Sequence, residues 1–259
     1  MSSALASITC SSPPLPNCLT GLLETLSSCT EFDAADAASM LRTLDINASA
    51  LTPWQDFNHP AHDSYGRRLI ARGAHYELML MSWVPGDYSA IHDHGIAEWG
   101  AVRYFGDADH ILFRERQGVL SVRERMTMHR GDVCPVGPSL IHLMGNPTKT
   151  PFVSLHLYGR SQAAADITGG ARIFDFLENC VQRTNGGVFF CLPEHDILSR
   201  ENGPTPDDAT RLLHHELMLS RVNHMLASNG GDTDLENKAT GLRRHIQALR
   251  KVTVTEVTA

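Results

Sequence analysis

The sequence predicts a mainly β protein, an antiparallel β-sandwich or barrel with helical segments before and after it along the chain. Short runs of alternating apolar and polar residues fill residues 65–158, and turn residues such as Pro85-Gly86-Asp87 and Phe105-Gly106-Asp107 separate them. Many short strands at regular spacing are typical of antiparallel sandwiches and barrels. No glycine-rich phosphate loop and no strand–helix alternation is visible, which excludes the nucleotide-binding α/β classes.

The composition is that of an ordinary globular protein, with 42% hydrophobic and 20% charged residues in a chain of 259. The net charge of -7 argues against a nucleic-acid partner, which would require a basic surface. No apolar run approaches the length of a membrane-spanning helix, and Met1–Leu22 lacks a signal-peptide pattern. The six cysteines contain no Cys-x-x-Cys pair and are interpreted as reduced thiols. We therefore expect a cytoplasmic protein without membrane partners.

Helical patterns border the β-rich part and predict four segments. Residues 1–16, rich in Ser and Pro, are expected to form a flexible N-terminal arm. Residues 17–60 are expected to be helical, with Asp33 as an N-cap. The barrel is assigned to residues 61–192, and a helical C-terminal extension to residues 193–259. This extension is expected to pack on the barrel or to form a homodimer.

Shorter patterns predict the elements that follow the β-rich part. A helix is expected over Ala171–Arg183 and a further strand over Val188–Leu192. The run Thr205-Pro206-Asp207-Asp208 combines an N-cap, a proline at the first helical position and acidic residues, and it predicts a helix that ends near Ser228. A last helix is expected from about Leu235 to Val252.

The stretch from Gly86 to Gly106 contains two histidines, His92 and His94, separated by a single residue. On an extended strand these two side chains point the same way. Two neutral imidazoles can therefore hold one metal ion. Glu98 follows and could add a carboxylate ligand.

This stretch resembles the first motif of the cupin superfamily. A second run resembles the second cupin motif one hairpin later: Gly131, Pro135, Gly137, His142 and Asn146. The resemblance implies a cupin-type antiparallel β-barrel (jelly roll) in which His142 is the third metal ligand. Three imidazoles leave coordination positions open, as a catalytic non-haem Fe(2+) site requires. Nickel or manganese stays open as an alternative metal.

The segment Ser154-Leu155-His156-Leu157-Tyr158 resembles the Ser-x-His-x-Tyr segment of the thiol dioxygenases, the cysteine dioxygenase group of cupins. Ser154, His156 and Tyr158 face one side of a strand, so a hydrogen-bonded relay between them is geometrically possible. The resemblance implies that these three residues are catalytic, with the phenol of Tyr158 turned toward the iron.

Tyr65-Gly66-Arg67 resembles the Tyr-x-Arg segment of cysteine dioxygenases, in which the arginine holds the substrate carboxylate. A guanidinium matches a carboxylate in charge and geometry. The resemblance implies that Arg67 and Tyr65 bind substrate, while Arg68 points to the opposite face. Trp99 stands where animal cysteine dioxygenases carry a cysteine linked to the active-site tyrosine, and it is expected in the substrate pocket.

The resemblance implies an iron-dependent dioxygenase that adds both atoms of O2 to the sulfur of a small thiol, giving a sulfinic acid. Arg67 fits the cysteine type, whereas Tyr158-Gly159 is closer to the mercaptopropionate type. Cysteine, 3-mercaptopropionate and mercaptosuccinate are therefore all candidate substrates. Two alternatives stay open: another cupin dioxygenase or isomerase with Glu98 as a fourth ligand, and a non-catalytic cupin that binds a metabolite.

Overall fold

The computed structural model describes residues 13–229 and 231–257. Its helices are α1 (Asn17–Ser28), α2 (Ala34–Thr43), α3 (Asp208–Asn229) and α4 (Thr233–Val257). Its strands are β1 (Gly66–Arg72), β2 (Tyr76–Trp83), β3 (Trp99–Tyr104), β4 (Ala108–Arg116), β5 (Val119–Met128), β6 (Val133–Val136), β7 (Ile141–Gly145), β8 (Phe152–Gly159), β9 (Ala171–Asp175), β10 (Cys180–Thr184), β11 (Ser199–Glu201) and β12 (Thr205–Pro206). Short 3-10 turns cover Ala48–Trp54 and Glu194–Asp196.

Two large sheets form the barrel. One has the strand order β1-β2-β8-β3-β6 and the other β12-β5-β4-β7, with β12 joining β5 as a short parallel edge. Their inner faces share a core to which β2 contributes Met79, Met81 and Trp83, while Met144 comes from β7 in the opposite sheet. The fold is the predicted cupin-type jelly roll.

The central strands β2 and β8 of the five-stranded sheet are buried on both faces, and the N-terminal helices cover the outer side of this sheet. Every residue of β2 and of β8 is buried. Leu78 and Leu155 pack outward against Leu22 and Leu41 of α1 and α2. Because side chains alternate along a strand, one residue in two is turned toward the interior, where the functional residues lie.

The helices before the barrel follow the sequence pattern closely. Asp33 accepts hydrogen bonds from the backbone N–H groups of Ala35 and Asp36, while the Asp36 carboxylate accepts the N–H of Asp33. The predicted N-cap is thus confirmed as one half of a capping box. Most of the predicted arm, residues 1–12, lies outside the described residues.

The segment after β8 differs from the prediction. The expected helix over Ala171–Arg183 is wrong, because these residues form the antiparallel hairpin β9–β10 with Cys180 paired to Asp175. Asp175 accepts the N–H groups of Leu177 and Glu178 and so stabilises the turn. The expected strand over Val188–Leu192 is also absent from this part of the structure, where the chain runs as a loop.

The C-terminal extension begins with the short strands β11 and β12, and its two predicted helices are confirmed. The predicted start of the first helix at Thr205 is wrong, because Thr205 and Pro206 pair with β5 and Asp207 accepts the N–H of Thr210 at the start of α3. A buried ion pair fixes α3 to the barrel: the Arg221 guanidinium donates to the Asp87 carboxylate, with the two side chains 5% and 3% exposed. Arg221 also donates to the carbonyls of Ala61 and Ser64.

The homodimer through these helices and the cytoplasmic location stay predictions. No described helix is both long and apolar enough for a bilayer crossing.

We predict that Arg221→Met lowers the free energy of unfolding by about 3–5 kcal/mol, because it leaves the Asp87 carboxylate buried without its guanidinium. Urea unfolding followed by circular dichroism measures the change. Arg250→Met is the matched control, since Arg250 pairs with Glu216 on the surface and should cost no more than about 1 kcal/mol. Equal losses in the two variants would contradict this assignment.

Candidate metal centre and active site

Three histidines bring their Nε2 atoms together inside the barrel. The Nε2 atom of His142 lies 3.1 Å from that of His92 and 3.1 Å from that of His94. All three side chains are buried. His142 belongs to β7, whereas His92 and His94 lie in an irregular segment rather than the predicted strand. Isolated bridges from His92 to His142 and to Ile173 hold this segment in place.

The arrangement of these nitrogens fits a metal ion. The Nδ1 atom of His92 lies 2.8 Å from the carbonyl oxygen of Ala90, to which it donates, so its Nε2 lone pair faces the other two rings. Burial lowers the pKa of His92 to about 4, and it lowers the pKa values of His94 and His142 well below the usual range. Two ligand nitrogens at about 2.1 Å from one ion and at a right angle lie about 3 Å apart. The cluster therefore offers three neutral imidazole ligands at a spacing suited to one transition metal.

Glu98 does not join this cluster, which corrects the expectation that it could be a fourth ligand. Its carboxylate is exposed, and it accepts hydrogen bonds from the backbone N–H and the hydroxyl of Ser161. The Arg160 guanidinium lies 3.7 Å from the same carboxylate. The hydrogen bonds from Ser161 hold the pKa of Glu98 below its usual range. Glu98 follows a turn and precedes β3, so the alternation of that strand does not direct it inward.

The Ser154, His156 and Tyr158 side chains form one hydrogen-bonded chain on β8. The Ser154 hydroxyl lies 2.7 Å from His156 Nε2, and His156 Nδ1 lies 3.0 Å from the Tyr158 hydroxyl. A Cβ atom on Gly100 would lie only 2.7 Å from Cδ1 of Tyr158. Glycine at that position therefore makes room for the phenol ring.

A tryptophan sets the direction of this chain. The indole N–H of Trp83 donates to the Ser154 hydroxyl at 2.8 Å. Among the described residues, His156 is the one other side-chain partner of that hydroxyl. Because the Ser154 oxygen accepts the indole N–H, the Ser154 hydroxyl is fully satisfied when it donates to His156 Nε2. The hydrogen of the neutral His156 ring is then on Nδ1, from which it is donated to the Tyr158 oxygen. The Tyr158 proton is then free to be donated into the cavity. Burial raises the pKa of Tyr158, so the phenol keeps its proton at neutral pH.

A small cavity of about 40 Å³ connects the histidine cluster with the tyrosine. Its walls include His92, His94, His142, His156, Tyr158, Tyr65, Arg67, Met79, Met81 and Met144. This volume admits a molecule of a few heavy atoms, since one water needs about 10–15 Å³ by the same measure. Arg67 is the one cationic side chain among the described lining residues. Arg68 points outward and pairs with Asp56 at 3.0 Å, as its alternation predicts.

Trp99 lies away from this cavity, which corrects its expected place in the substrate pocket. On β3, Gly100 pairs with Tyr158 and Trp99 with Gly159, so Trp99 faces the outer side of the sheet. Its ring meets Phe32 edge to face, with ring centroids 5.5 Å apart. Trp99 therefore belongs to the core beneath the N-terminal helices.

Sequence reasoning did not identify the residues that orient Arg67. Arg67 Nη2 donates to the Thr168 hydroxyl at 3.2 Å, and that hydroxyl donates to the buried Glu77 carboxylate at 2.9 Å. The Arg72 guanidinium lies 2.6 Å from the other oxygen of Glu77. Thr168 follows the last recognised motif and carries no motif of its own. Because Arg67 contacts a neutral hydroxyl here and not a carboxylate, its charge stays available for an anionic ligand.

Tyr65 helps to shape the same wall. Its ring stacks on Trp83 with a centroid distance of 4.5 Å, and its hydroxyl accepts the backbone N–H of Val188 at 3.2 Å. Burial raises the pKa of Tyr65 to about 12. The loop after β10 thus contributes Val188 to the wall of the cavity and contacts Tyr65, which immediately precedes β1.

A jelly-roll barrel with three inward-facing histidines defines the class of this protein: a cupin with a candidate metal centre. Residues 9–162 match the sequence model of the cysteine dioxygenase type I family, which is more than half of the chain. The chain therefore belongs to the cysteine dioxygenase type I family. This finding confirms the resemblance seen in the sequence motifs.

Individual relatives are more distant. The chain is 27% identical to cysteine dioxygenase type 1 of Danio rerio over 150 residues, which cover 55% of this chain and 75% of that protein. A conserved protein with a double-stranded β-helix domain from Klebsiella pneumoniae superposes with a TM-score of 0.33 at 16% identity, over 41% of this chain and 85% of its own. A cupin 2 conserved barrel domain protein from Salinispora arenicola gives 0.32 at 18% identity, over 43% and 85%.

We predict that the metal-free protein loses stability as the pH falls from about 6.5 toward 4. Burial lowers the pKa values of His92, His94, His110, His142 and His156 in the folded state. The unfolded chain takes up protons at these residues below about pH 6.5 whereas the folded protein does not, so the free energy of unfolding falls with pH, with a limiting slope of about 1.4 kcal/mol per pH unit for one such histidine.

Urea unfolding of chelator-treated protein at several pH values between 7.5 and 4.5 measures this slope. His156→Gln should make the slope shallower, because it removes one buried titrating group. His195→Gln is the control, since that side chain is 82% exposed and should not alter the slope. A free energy of unfolding that stays constant below pH 6.5 would contradict the prediction.

Proposed function

We propose that this protein is an iron-dependent thiol dioxygenase that adds both atoms of O2 to the sulfur of a small carboxylated thiol, giving a sulfinic acid. One observation carries the proposal: a single cavity is lined by the histidine cluster, by the hydroxyl of Tyr158 and by the Arg67 guanidinium. Membership of the cysteine dioxygenase type I family supports it. Thiol plus O2 gives a sulfinic acid without a reducing cosubstrate, so the reaction balances with these two reactants.

The three histidines would hold the metal. His92, His94 and His142 would ligate Fe(2+) through Nε2, and the ion would supply the redox chemistry between O2 and the thiol. Three protein ligands leave open positions for reactants. The three histidines and Tyr158 are buried, and the lower local dielectric strengthens electrostatic interactions between groups in the cavity.

Tyr158 would act as a hydrogen-bond donor to the reacting groups. The chain from Trp83 through Ser154 and His156 holds its hydroxyl and directs its proton into the cavity. A donor held in place by buried partners stabilises developing negative charge on oxygen without reorganisation. A cupin that only binds a metabolite would leave this chain without a role, so we retain the enzymatic proposal.

Arg67 would bind the substrate carboxylate. Its position in the wall places one positive charge beside the histidine cluster, and the methionines Met79, Met81 and Met144 line the remaining surface with apolar groups. A single cation and a small volume favour a thiol with one carboxylate. Cysteine and 3-mercaptopropionate therefore fit better than mercaptosuccinate, whose second carboxylate would lack a cationic partner among the described lining residues.

We predict O2 consumption by the iron-loaded protein with carboxylated thiols and far less with cysteamine, which lacks the carboxylate. An oxygen electrode measures uptake with cysteine, 3-mercaptopropionate, mercaptosuccinate and cysteamine. Mass spectrometry after reaction under ¹⁸O2 should show two labelled oxygens in the sulfinate. Iron-replete protein that forms no sulfinate from any of these thiols would refute the proposed function.

Two neighbouring arginines provide the matched control for this experiment. Arg67→Met should raise the KM for carboxylated thiols by about 10-fold to 100-fold, because charge-assisted hydrogen bonds contribute about 1.5–3 kcal/mol. Arg68→Met removes an equal charge on the outer face, where Arg68 pairs with Asp56, and should leave KM unchanged. Similar kinetics in both variants would exclude Arg67 as the carboxylate-binding residue.

A further inference from the structure

A fourth buried histidine contacts the metal centre from behind. His110 Nε2 lies 2.6 Å from His142 Nδ1, on the side of the His142 ring that faces away from the histidine cluster. The other nitrogen of His110, Nδ1, lies 3.3 Å from the Tyr104 hydroxyl. All three side chains are at most 1% exposed. They form a continuous chain of polar groups closed off from water.

The strand register explains how these residues meet. On the paired strands β4 and β7, Leu112 is opposite His142 and His110 is opposite Met144. His110 is therefore the diagonal neighbour of His142 on the same face of the sheet, within reach of a long side chain. The tight turn between β3 and β4 places Tyr104, the last residue of β3, beside His110.

Metal ligation would fix the direction of this chain. A metal on His142 Nε2 requires the hydrogen of the neutral ring to sit on Nδ1. His142 then donates to His110 Nε2, and His110 donates from Nδ1 to the Tyr104 oxygen. In the reverse direction Tyr104 donates to His110 and His110 donates to His142, so the His142 hydrogen occupies Nε2. That tautomer cannot bind a metal.

The other two histidines of the cluster do not depend on a side chain in this way. His92 Nδ1 faces a backbone carbonyl, which only accepts hydrogen bonds and so allows one tautomer. His94 Nδ1 is buried without a hydrogen-bond partner among the described residues. His142 is thus the candidate ligand whose tautomer a neighbouring side chain selects. Metal-bound histidines usually donate to a carboxylate, a carbonyl or water, and an imidazole takes that place here.

We propose that His110 is a positioning residue that fixes the orientation and tautomer of His142 and thereby strengthens metal binding at the three-histidine centre. The proposal rests on the metal centre of the proposed function. It concerns affinity for the ion, and its test does not require that any thiol be oxidised.

The test measures Fe(2+) affinity by competition with a chromophoric chelator under anaerobic conditions. His110→Leu should weaken binding about 10-fold to 100-fold, the range found when partners of metal-bound histidines are removed. His110→Gln should restore most of the affinity, because its amide oxygen can accept the hydrogen from His142 Nδ1. His214→Leu, a change at another buried histidine, packed between Phe176 and Phe190, should bind Fe(2+) like the parent protein.

Two results would overturn the proposal. The first is His110→Leu protein that is folded and binds Fe(2+) within twofold of the parent. The second applies even when His110→Leu does not fold: folded His110→Gln protein, which keeps a hydrogen-bond acceptor for His142 Nδ1, binds Fe(2+) at least 10-fold more weakly than the parent. A parent that binds Fe(2+) without oxidising thiols refutes the proposed function alone, whereas a parent that binds no metal refutes both.

Discussion

The structure depends on one electrostatic constraint, the burial of three uncharged imidazoles, with the Nε2 atom of His142 only 3.1 Å from those of His92 and His94. Lone pairs at this distance repel, and a metal cation bound between them would satisfy all three. The barrel resists relaxation of this arrangement, because His142 is fixed in β7 and His92 is bridged to it from an irregular segment.

The period of two along a β-strand allows β8 to serve two purposes. Ser154, His156 and Tyr158 face the cavity and share a proton chain, whereas Leu155 and Leu157 face outward and anchor the N-terminal helices. The hydrogen-bonded chain is therefore held firmly, because its own strand is packed on both sides. A rigid support matters here, since a hydrogen-bond donor is effective only where its position is fixed before the reaction.

Sequence reasoning succeeded wherever alternation or a motif determined the answer. It predicted the barrel, brought His92, His94 and His142 together and placed Ser154, His156 and Tyr158 on one face. It failed for Trp99 because the side that a residue faces depends on strand register, and only the pairing of Gly100 with Tyr158 shows that Trp99 lies outside. Glu98 was misplaced because a turn interrupts the alternation.

The remaining differences come from contacts between residues far apart in the chain. Glu77 and Thr168 are separated by 91 residues, and His110 and His142 by 32. The local sequence pattern does not show that such distant residues meet, because it does not contain the register in which the strands pair. The hairpin β9–β10 was predicted as a helix because its apolar residues fit both periods, although its aromatic and β-branched residues favour a strand.

The most direct test of the central claim is a crystal structure of the iron-loaded protein with anomalous diffraction data collected on both sides of the iron absorption edge. We expect one strong anomalous peak, bound by the Nε2 atoms of His92, His94 and His142, with Glu98 still paired to Ser161. A peak at any other group of side chains, or iron bound through the Glu98 carboxylate, would contradict it.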